Sequence, residues 1–312
     1  MLNKKNLKYI HIFLAVITII LIIVIILFKL NKSKKSNITK ENFQNYAYNP
    51  KLDDLKDKDI LLKQPKEYIE SKNVRDLINS NEIPFNLFMC WKTKNLPPIM
   101  NKLVNKIKEE NPEFNIYIFD DNDCRNMIEK YFIKEVVDAF DTLVPGAYKA
   151  DLWRYCVLYL YGGVYQDIKY DPLNGFKYKE LTDKEYFVRD RVEGGKGIFN
   201  ALMACKKNNQ ILEKAIKRII YHIKTNFYGV SCLEPTGPLL LKKFFSEKEI
   251  DNLEIKMIGN INDENDMTIV KKERNILKMY SEYRAEQKQM LSNNKTKYYG
   301  FLWSEGNIYK KK

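Results

Sequence analysis

The sequence predicts an α/β domain, a mixed sheet flanked by helices, preceded by one transmembrane helix. Three observations support this prediction. Short apolar runs alternate with longer amphipathic stretches between residues 86 and 161. The pair Gly162-Gly163 separates a helical stretch from an apolar strand. Residues 9–28 form an almost unbroken apolar segment. A strand–helix order of this kind is typical of a sheet covered by helices.

The N-terminal apolar segment, residues 9–28, is long enough to cross a bilayer, since about 20 helical residues span the hydrocarbon core. A cleaved signal peptide has a shorter apolar region that ends in small residues, whereas a lysine-rich stretch follows here. We therefore predict a signal-anchor, with a short flank at 1–8, a polar stem at 29–80 and a folded domain at 81–312. Lysines on both sides of the segment do not settle its orientation.

The first half of the folded domain predicts two strands and two helices. Asn86–Cys90 is an apolar strand, and a helix follows from Pro98 to Glu110 because proline is tolerated in a first helical turn. Asn115–Phe119 alternates like a second strand. The run Asp120-Asp121-Asn122-Asp123 is predicted to cap a helix that runs toward Tyr131. This order implies parallel strands joined by helical crossovers.

The middle of the domain predicts a helix from Pro145 to Tyr161 that ends at Gly162, and then a strand from Val164 to Tyr170. Three further elements follow in the sequence: a strand at Tyr186–Val188, a helix at Gln210–Thr225 and a helix that opens at Thr236-Gly237-Pro238.

A polar cluster is predicted where that helix and strand meet. Asp151 and Arg154 are three residues apart and therefore share a helix face. Alternate residues of a strand share a face, so Asp167, Lys169 and Asp171 are predicted to point into one cleft. Such a cluster on a rigid scaffold suits a charged ligand that is rich in hydroxyl groups.

Composition excludes several other classes of function. The net charge is +13, but no nucleic-acid motif accompanies it, so nucleic acid is not a predicted partner. The five cysteines form no C-x-x-C pair, which argues against a zinc site. Of the two histidines, His11 lies in the apolar segment, so a serine or cysteine hydrolase mechanism would depend on His222 alone.

Residues 147–170 resemble the A-D-x-x-R-Y-x-x-L-Y-x-x-G-G-x-Y-x-D-x-D core of the DXD-motif sugar transferases. These glycosyltransferases are related to fungal Golgi mannosyltransferases and capsular polysaccharide synthesis enzymes. Trp91-Lys92, Leu96-Pro97-Pro98 and Phe119-Asp120-Asp121 match further motifs of the family. In contrast, Lys169 stands at the second Asp of D-x-D, and the family's His-Gln pair is replaced by Phe88-Met89 in this chain.

The resemblance implies a GT-A-like, Rossmann-type fold and a membrane-anchored hexosyltransferase with a lumenal domain. It implies a GDP- or UDP-hexose donor, a glycan or glycoconjugate acceptor, retention of configuration, and Mn²⁺ or Mg²⁺ as cofactor. Asp167, Asp151 and Arg154 are the implied catalytic residues. The implied donor-binding residues are Trp91, Tyr148, Asp151, Arg154, Gly163, Asp167, Lys169, Thr236 and Gly237. The candidate metal ligands are Asp167, Asp171, Ser304 and Asn307.

Three arrangements of the cation site stay open at this point. Asp171 supplies the second acid, or Asp167 holds the metal with Ser304 or Asn307, or the Lys169 ammonium takes over the positive charge. We favour Asp167 with a metal. A rival interpretation, motivated by Lys169 and by the missing His-Gln pair, is an inactive glycan- or nucleotide-binding protein on the same scaffold.

Overall fold

The computed structural model describes residues 61–62, 83–191, 197–259, 266–293 and 297–311. The predicted transmembrane segment and nearly all of the predicted stem lie outside these residues. No helix in the described ranges combines the length and the apolar character that a membrane span requires. Within the predicted stem, Leu61 is buried in the core, and its carbonyl accepts a hydrogen bond of 2.8 Å from the Ile133 amide.

In the described part of the chain, nine strands form one sheet in the order β2-β1-β3-β6-β5-β7-β8-β9-β4. The strands are β1 (Asn86–Cys90), β2 (Asn115–Phe119), β3 (Gly163–Gln166), β4 (Tyr170–Pro172), β5 (Tyr186–Arg189), β6 (Ile198–Cys205), β7 (Ile255–Ile258), β8 (Thr268–Lys271) and β9 (Arg274–Met279). β1 is parallel to both β2 and β3, whereas β3 is antiparallel to β6. The predicted mixed sheet is therefore confirmed.

Helices cover both faces of this sheet. They are α1 (Pro98–Glu110), α2 (Asp121–Tyr131), α3 (Lys134–Thr142), α4 (Gly146–Tyr161), α5 (Gln210–Lys224), α6 (Pro238–Lys242), α7 (Glu247–Asp251), α8 (Tyr283–Asn293) and α9 (Tyr299–Ser304), with a 3-10 helix at Tyr178–Leu181. Within the run predicted to cap this helix, Asp120 is the N-cap of α2, because its Oδ1 accepts a 2.8 Å hydrogen bond from the Asp123 amide.

The core has two parts, one on each face of the sheet. Along β1, Phe88 packs into one cluster, whereas Leu87 and Met89 pack into the other, as the alternation of a strand requires. Helix α4 lies deep in the first cluster, and its buried positions surround the helix rather than forming one stripe. Its side chains therefore have little freedom to move, which makes α4 a rigid support for polar groups.

Two consecutive glycines fix the passage from α4 to β3. Gly162 ends the helix with φ 65°, and its amide donates to the Leu158 carbonyl at 2.8 Å. A Cβ on Gly163 would lie 2.6 Å from the carbonyl oxygen of Asn86. Gly163 is therefore required for the close approach of β3 to β1, and only glycine fits there.

The sheet curls so that its last strand returns toward its middle. β3 is an inner strand and β4 is the edge strand that pairs with β9, yet only residues 167–169 separate them. This connection cannot exceed about 15 Å. It forms a tight turn in which the Tyr170 amide donates to the Asp167 carbonyl at 3.2 Å. Asp167 and Lys169 thus lie where the curled sheet closes.

The predicted strand from Val164 to Tyr170 is wrong in its second half, because this turn interrupts it. β3 ends at Gln166, and Asp167 donates its amide to the Ala201 carbonyl of β6 at 2.8 Å. On the far side of the turn, the Tyr280 amide donates to the Lys169 carbonyl at 3.1 Å. The chain changes its pairing partner within three residues, so alternation along a single strand does not apply to Asp171.

Candidate active site

The structure brings together polar residues from four separate segments. Helix α4 supplies two of them, the turn after β3 supplies two, β6 supplies one, and the loop before α6 supplies one. We call this group the polar cluster, and its members are Asp151, Arg154, Asp167, Lys169, Asn200 and Thr236.

Arg154 joins the two carboxylates of the polar cluster. Its Nη2 lies 3.3 Å from Asp151 Oδ1, and its Nη1 lies 3.1 Å from Asp167 Oδ1. Nη1 also donates to the Asn200 carbonyl at 2.8 Å, and the guanidinium lies 4.5 Å above the ring of Tyr165. The side chain is only 7% exposed. Arg154 therefore positions both acids, and its own contact with a ligand is limited by this burial.

Asp151 accepts hydrogen bonds from two distant segments. Asn200 Nδ2 donates to its Oδ1 at 2.8 Å, and Thr236 Oγ1 donates to its Oδ2 at 2.7 Å. Burial raises the pKa of Asp151 above its usual value, against the opposing effect of Arg154, Thr236 and Asn200. Asp151 thus fixes the loop before α6 to the sheet.

Asp167 is the most exposed carboxylate of the polar cluster, at 22%. Tyr165 donates to its Oδ1 at 2.8 Å, and Lys169 Nζ lies 3.0 Å from its Oδ2. Burial alone would raise the pKa of Asp167, but Lys169 and Arg154 outweigh it, so the pKa is lowered. Asp167 is therefore held ionised at the point where a ligand can reach the cluster.

Trp91 lies at the same edge of the sheet as Asp167. It follows β1, and Asp167 follows the adjacent parallel strand β3, so both occupy the carboxyl ends of neighbouring strands, where ligands of open parallel sheets bind. Trp91 is half-buried, and its ring packs edge-on against Tyr283 at 6.2 Å.

Two of the predicted donor-binding residues make close contacts within the protein. The Tyr148 hydroxyl donates to the Cys232 carbonyl at 2.6 Å and is occupied in holding the loop before α6. Gly163 is buried in the close approach of β3 to β1. By contrast, Thr236 and Gly237 do reach the polar cluster, since a Cβ on Gly237 would lie 3.3 Å from Asp151 Oδ2.

Of the other three predicted metal ligands, one is in an ion pair and two are exposed. Asp171, on β4, is paired with Lys106 at 2.7 Å. Ser304 is exposed and donates to the Phe301 carbonyl at 2.9 Å, and Asn307 is also exposed. Among the described residues, no group of three or more His, Cys, Asp or Glu side chains is placed to hold a metal ion.

The donor set therefore does not fit the Mn²⁺ or Mg²⁺ that the resemblance implies. A divalent ion of this kind prefers several oxygen ligands. Here one accessible carboxylate, Asp167, already has an ammonium at 3.0 Å and a guanidinium at 3.1 Å. Two cations beside the single available acid disfavour a third cation with two charges.

Three residues of the site are missing from the sequence-based prediction. Asn200 bridges Asp151 and the Tyr155 hydroxyl, with both distances at 2.8 Å, and Tyr165 donates to Asp167. Tyr155 in turn donates to the Thr236 carbonyl at 2.9 Å. A signal for Asn200 does exist, because it interrupts the apolar run of β6, and Tyr155 and Tyr165 both stand at Tyr positions of the family's motif.

His222 packs in the core and is not part of a hydrolase triad. It is buried, its Nδ1 lies 2.8 Å from the Pro235 carbonyl, and its ring stacks on Phe227 at 4.2 Å. Burial lowers the pKa of His222 to about 3, so the imidazole is neutral at physiological pH. It supports the loop that carries Thr236.

Comparison with known proteins supports the recognition made from the motifs. Residues 97–188 match the family described as "Glycosyltransferase sugar-binding region containing DXD motif". The chain is also 30% identical, over 95 residues, to an initiation-specific alpha-1,6-mannosyltransferase of Candida albicans (strain SC5314 / ATCC MYA-2876). That alignment covers 28% of this chain and 25% of the relative, so the chain matches about a quarter of the relative's length. The family match, residues 97–188, contains α4, β3 and the turn with Asp167.

Two solved structures are also similar. The PaToxG glycosyltransferase has a TM-score of 0.41 and 22% identity, covering 52% of this chain and 68% of its own. The ligand-free glycosyltransferase domain of the YGT toxin has a TM-score of 0.33 and 14% identity, covering 47% of this chain and 65% of its own.

Proposed function

We propose that the protein is a glycosyltransferase that moves a hexosyl group from a GDP- or UDP-hexose to a hydroxyl of a glycan or glycoconjugate, with retention of anomeric configuration. The observation that carries the proposal is the polar cluster itself. It lies at the carboxyl end of β3, inside the segment that matches a glycosyltransferase sugar-binding region. The GT-A type of fold belongs to the same proposal.

The chemistry requires a site that stabilises negative charge on a leaving diphosphate. In the transfer, the bond from the anomeric carbon to the diphosphate oxygen breaks, and its electron pair stays on the diphosphate. The acceptor oxygen forms the new bond to the anomeric carbon, and the hydroxyl proton passes to the released diphosphate.

The two carboxylates and Arg154 of the polar cluster, and Trp91 beside it, have separate roles in that reaction. Asp167, the accessible carboxylate, contacts the donor and stabilises the positive charge that develops on the sugar. Asp151 and Arg154 hold Asp167 and the loop with Thr236 in place, since Arg154 lies between the two acids. Trp91, at the end of the neighbouring strand, offers an aromatic face for the nucleotide base.

Membrane anchoring and a lumenal domain are also part of the proposal. They rest on the apolar segment 9–28 and on the anchor, stem and domain order of the sequence. We propose a single-pass protein whose acceptor is presented at a membrane surface.

A donor panel tests the proposed activity. The full-length protein in detergent is incubated with GDP-mannose, UDP-galactose, UDP-glucose or UDP-N-acetylglucosamine, and released nucleoside diphosphate is measured. We expect release from one donor, lost in Asp167→Asn and kept in the control Asp138→Asn. Asp138 suits this control because it pairs with Lys134 on the surface and is 58% exposed.

The rival function is donor or glycan binding without transfer, and Lys169 at the second position of D-x-D favours it. It predicts that a nucleotide sugar binds the folded protein but that no nucleoside diphosphate is released from any donor, even with glycan acceptors present. Calorimetric binding of the same four donors, run beside the release assay, separates the two functions.

A further inference from the structure

Lys169 stands where a D-x-D motif has its second acid, yet it is a fixed part of the polar cluster. Its Nζ lies 3.0 Å from Asp167 Oδ2, and the side chain is only 12% exposed. The ammonium lies 5.3 Å from the ring centre of Tyr170 and 5.6 Å from that of Phe199. Its backbone is held by the hydrogen bond from Tyr280. A lysine restrained at both ends is not a solvated surface residue.

The charges of the polar cluster explain what such a lysine can replace. A second aspartate with a divalent cation contributes a net charge of one positive unit. A single lysine contributes the same net charge. With Lys169, two carboxylates (Asp151 and Asp167) face two cations (Arg154 and Lys169), so the cluster is formally neutral without any metal.

Asp171, the other acid on this stretch of chain, does not take the place of the missing second acid of D-x-D. Asp171 lies beyond the turn, on β4, and its Oδ1 is 2.7 Å from Lys106 Nζ. Moving it toward Asp167 would break both this ion pair and the pairing of β4 with β9. Asp171 is therefore committed to Lys106, and within the described residues no group of three or more His, Cys, Asp or Glu side chains forms around Asp167.

We propose that the Lys169 ammonium takes the place of a divalent cation and binds the diphosphate of the donor directly. This inference rests on the proposed function, because it assigns a residue to the leaving group of that reaction. An ammonium has three N–H donors, and the contact with Asp167 uses one of them. The others can bind phosphate oxygens as a point charge does. As the bond to the anomeric carbon breaks, the electron pair on the diphosphate is stabilised by this fixed cation.

Calorimetry of nucleoside diphosphate binding tests the inference. GDP and UDP are titrated into the full-length protein, in EDTA and then in MnCl2. The variants are Lys169→Met, which keeps the stem but removes the charge, Lys169→Arg, which keeps the charge, and Lys169→Asp, which restores the acid. Lys134→Met, in which an 81% exposed lysine is changed, is the matched control. Thermal melting of each variant shows that it is folded.

We expect the wild type to bind one nucleotide equally well in EDTA and in MnCl2. Lys169→Met should weaken binding about 10- to 100-fold in both conditions, the loss that one charge-assisted hydrogen bond predicts. Lys169→Arg should remain independent of metal, and Lys169→Asp should bind only with MnCl2. A purely structural lysine would not produce that exchange of metal requirement.

Two results would overturn the inference in different ways. Wild-type binding that requires MnCl2 would refute it and leave the proposed transferase function intact. A folded wild type that binds neither nucleotide in either condition would refute both the proposed function and this inference. If a folded Lys169→Met variant binds like the wild type, Lys169 does not contact the diphosphate and the inference is also wrong.

Discussion

The chain on the two sides of Asp167 is held by different interactions. Before it, α4 and β3 are buried, and β3 has a hydrogen-bonded neighbour on each side. After it, β4 is a three-residue edge strand whose one neighbour in the sheet is β9, far along the chain. Asp151, Arg154 and Asp167 are thus positioned by the centre of the domain, whereas Lys169 is positioned by the closure of the sheet.

The largest difference in stability between the two sides is expected when the ion pair on each side is broken. Arg154→Met leaves Asp151 and Asp167 without their shared cation in a buried site, and we expect a loss of about 3–5 kcal/mol in the free energy of unfolding. Lys106→Met breaks the pair with Asp171, whose side chains are 42% and 32% exposed, and should cost no more than about 1 kcal/mol. Urea denaturation measures both. Equal losses would show that the two sides are held alike.

A glycine on each side allows a steric test of the same comparison. Gly163→Ala places a Cβ 2.6 Å from the Asn86 carbonyl oxygen at φ +116°, and we expect about 3 kcal/mol of destabilisation from the clash and strain together. Gly175→Ala also has positive φ, +67°, but meets nothing within 4 Å, so it should cost about 1 kcal/mol. Thermal and urea unfolding give both values. If Gly163→Ala is no worse than Gly175→Ala, the approach of β3 to β1 is not as tight as described.

The smallest expected difference comes from two buried tyrosines. The Tyr165 hydroxyl donates to the Asp167 carboxylate, so Tyr165→Phe should cost about 1.5–3 kcal/mol. The buried Tyr170 hydroxyl has no hydrogen-bond partner within the described ranges, so Tyr170→Phe should be neutral to within about 0.5 kcal/mol or slightly stabilising. The urea midpoints of the two variants, compared at constant m-value, give both changes in stability. A costly Tyr170→Phe would indicate that a water molecule or a ligand satisfies this hydroxyl.

These comparisons also explain what the sequence could predict. The bounds of β1, β2 and α1, and the end of α4 at Gly162, follow from local signals such as apolar runs, proline in a first turn and a glycine cap. The shared helix face of Asp151 and Arg154 follows as well, because helix periodicity is a local property.

The rest depends on contacts between residues far apart in sequence. The turn at Asp167 forms because β4 pairs with β9. No sequence pattern near residue 170 predicts this pairing. For the same reason no local pattern predicts the ion pair of Asp171, whose partner Lys106 comes from α1. Asn200 and Tyr165 join the site through the register of β6 against β3, in which Gln166 pairs with Leu202. Register between distant strands is not encoded in either strand alone.

The central claim is that the reaction takes place at Asp167, in the turn after β3, and not at Asp171, beyond that turn on β4. The most direct measurement is the rate of nucleoside diphosphate release, at saturating donor, by the wild type, Asp167→Asn and Asp171→Asn. We predict a loss of about 100-fold or more for Asp167→Asn, as expected for a group that stabilises developing charge, and nearly full activity for Asp171→Asn. A folded Asp167→Asn variant with wild-type rates, or an equal loss in Asp171→Asn, would contradict the account.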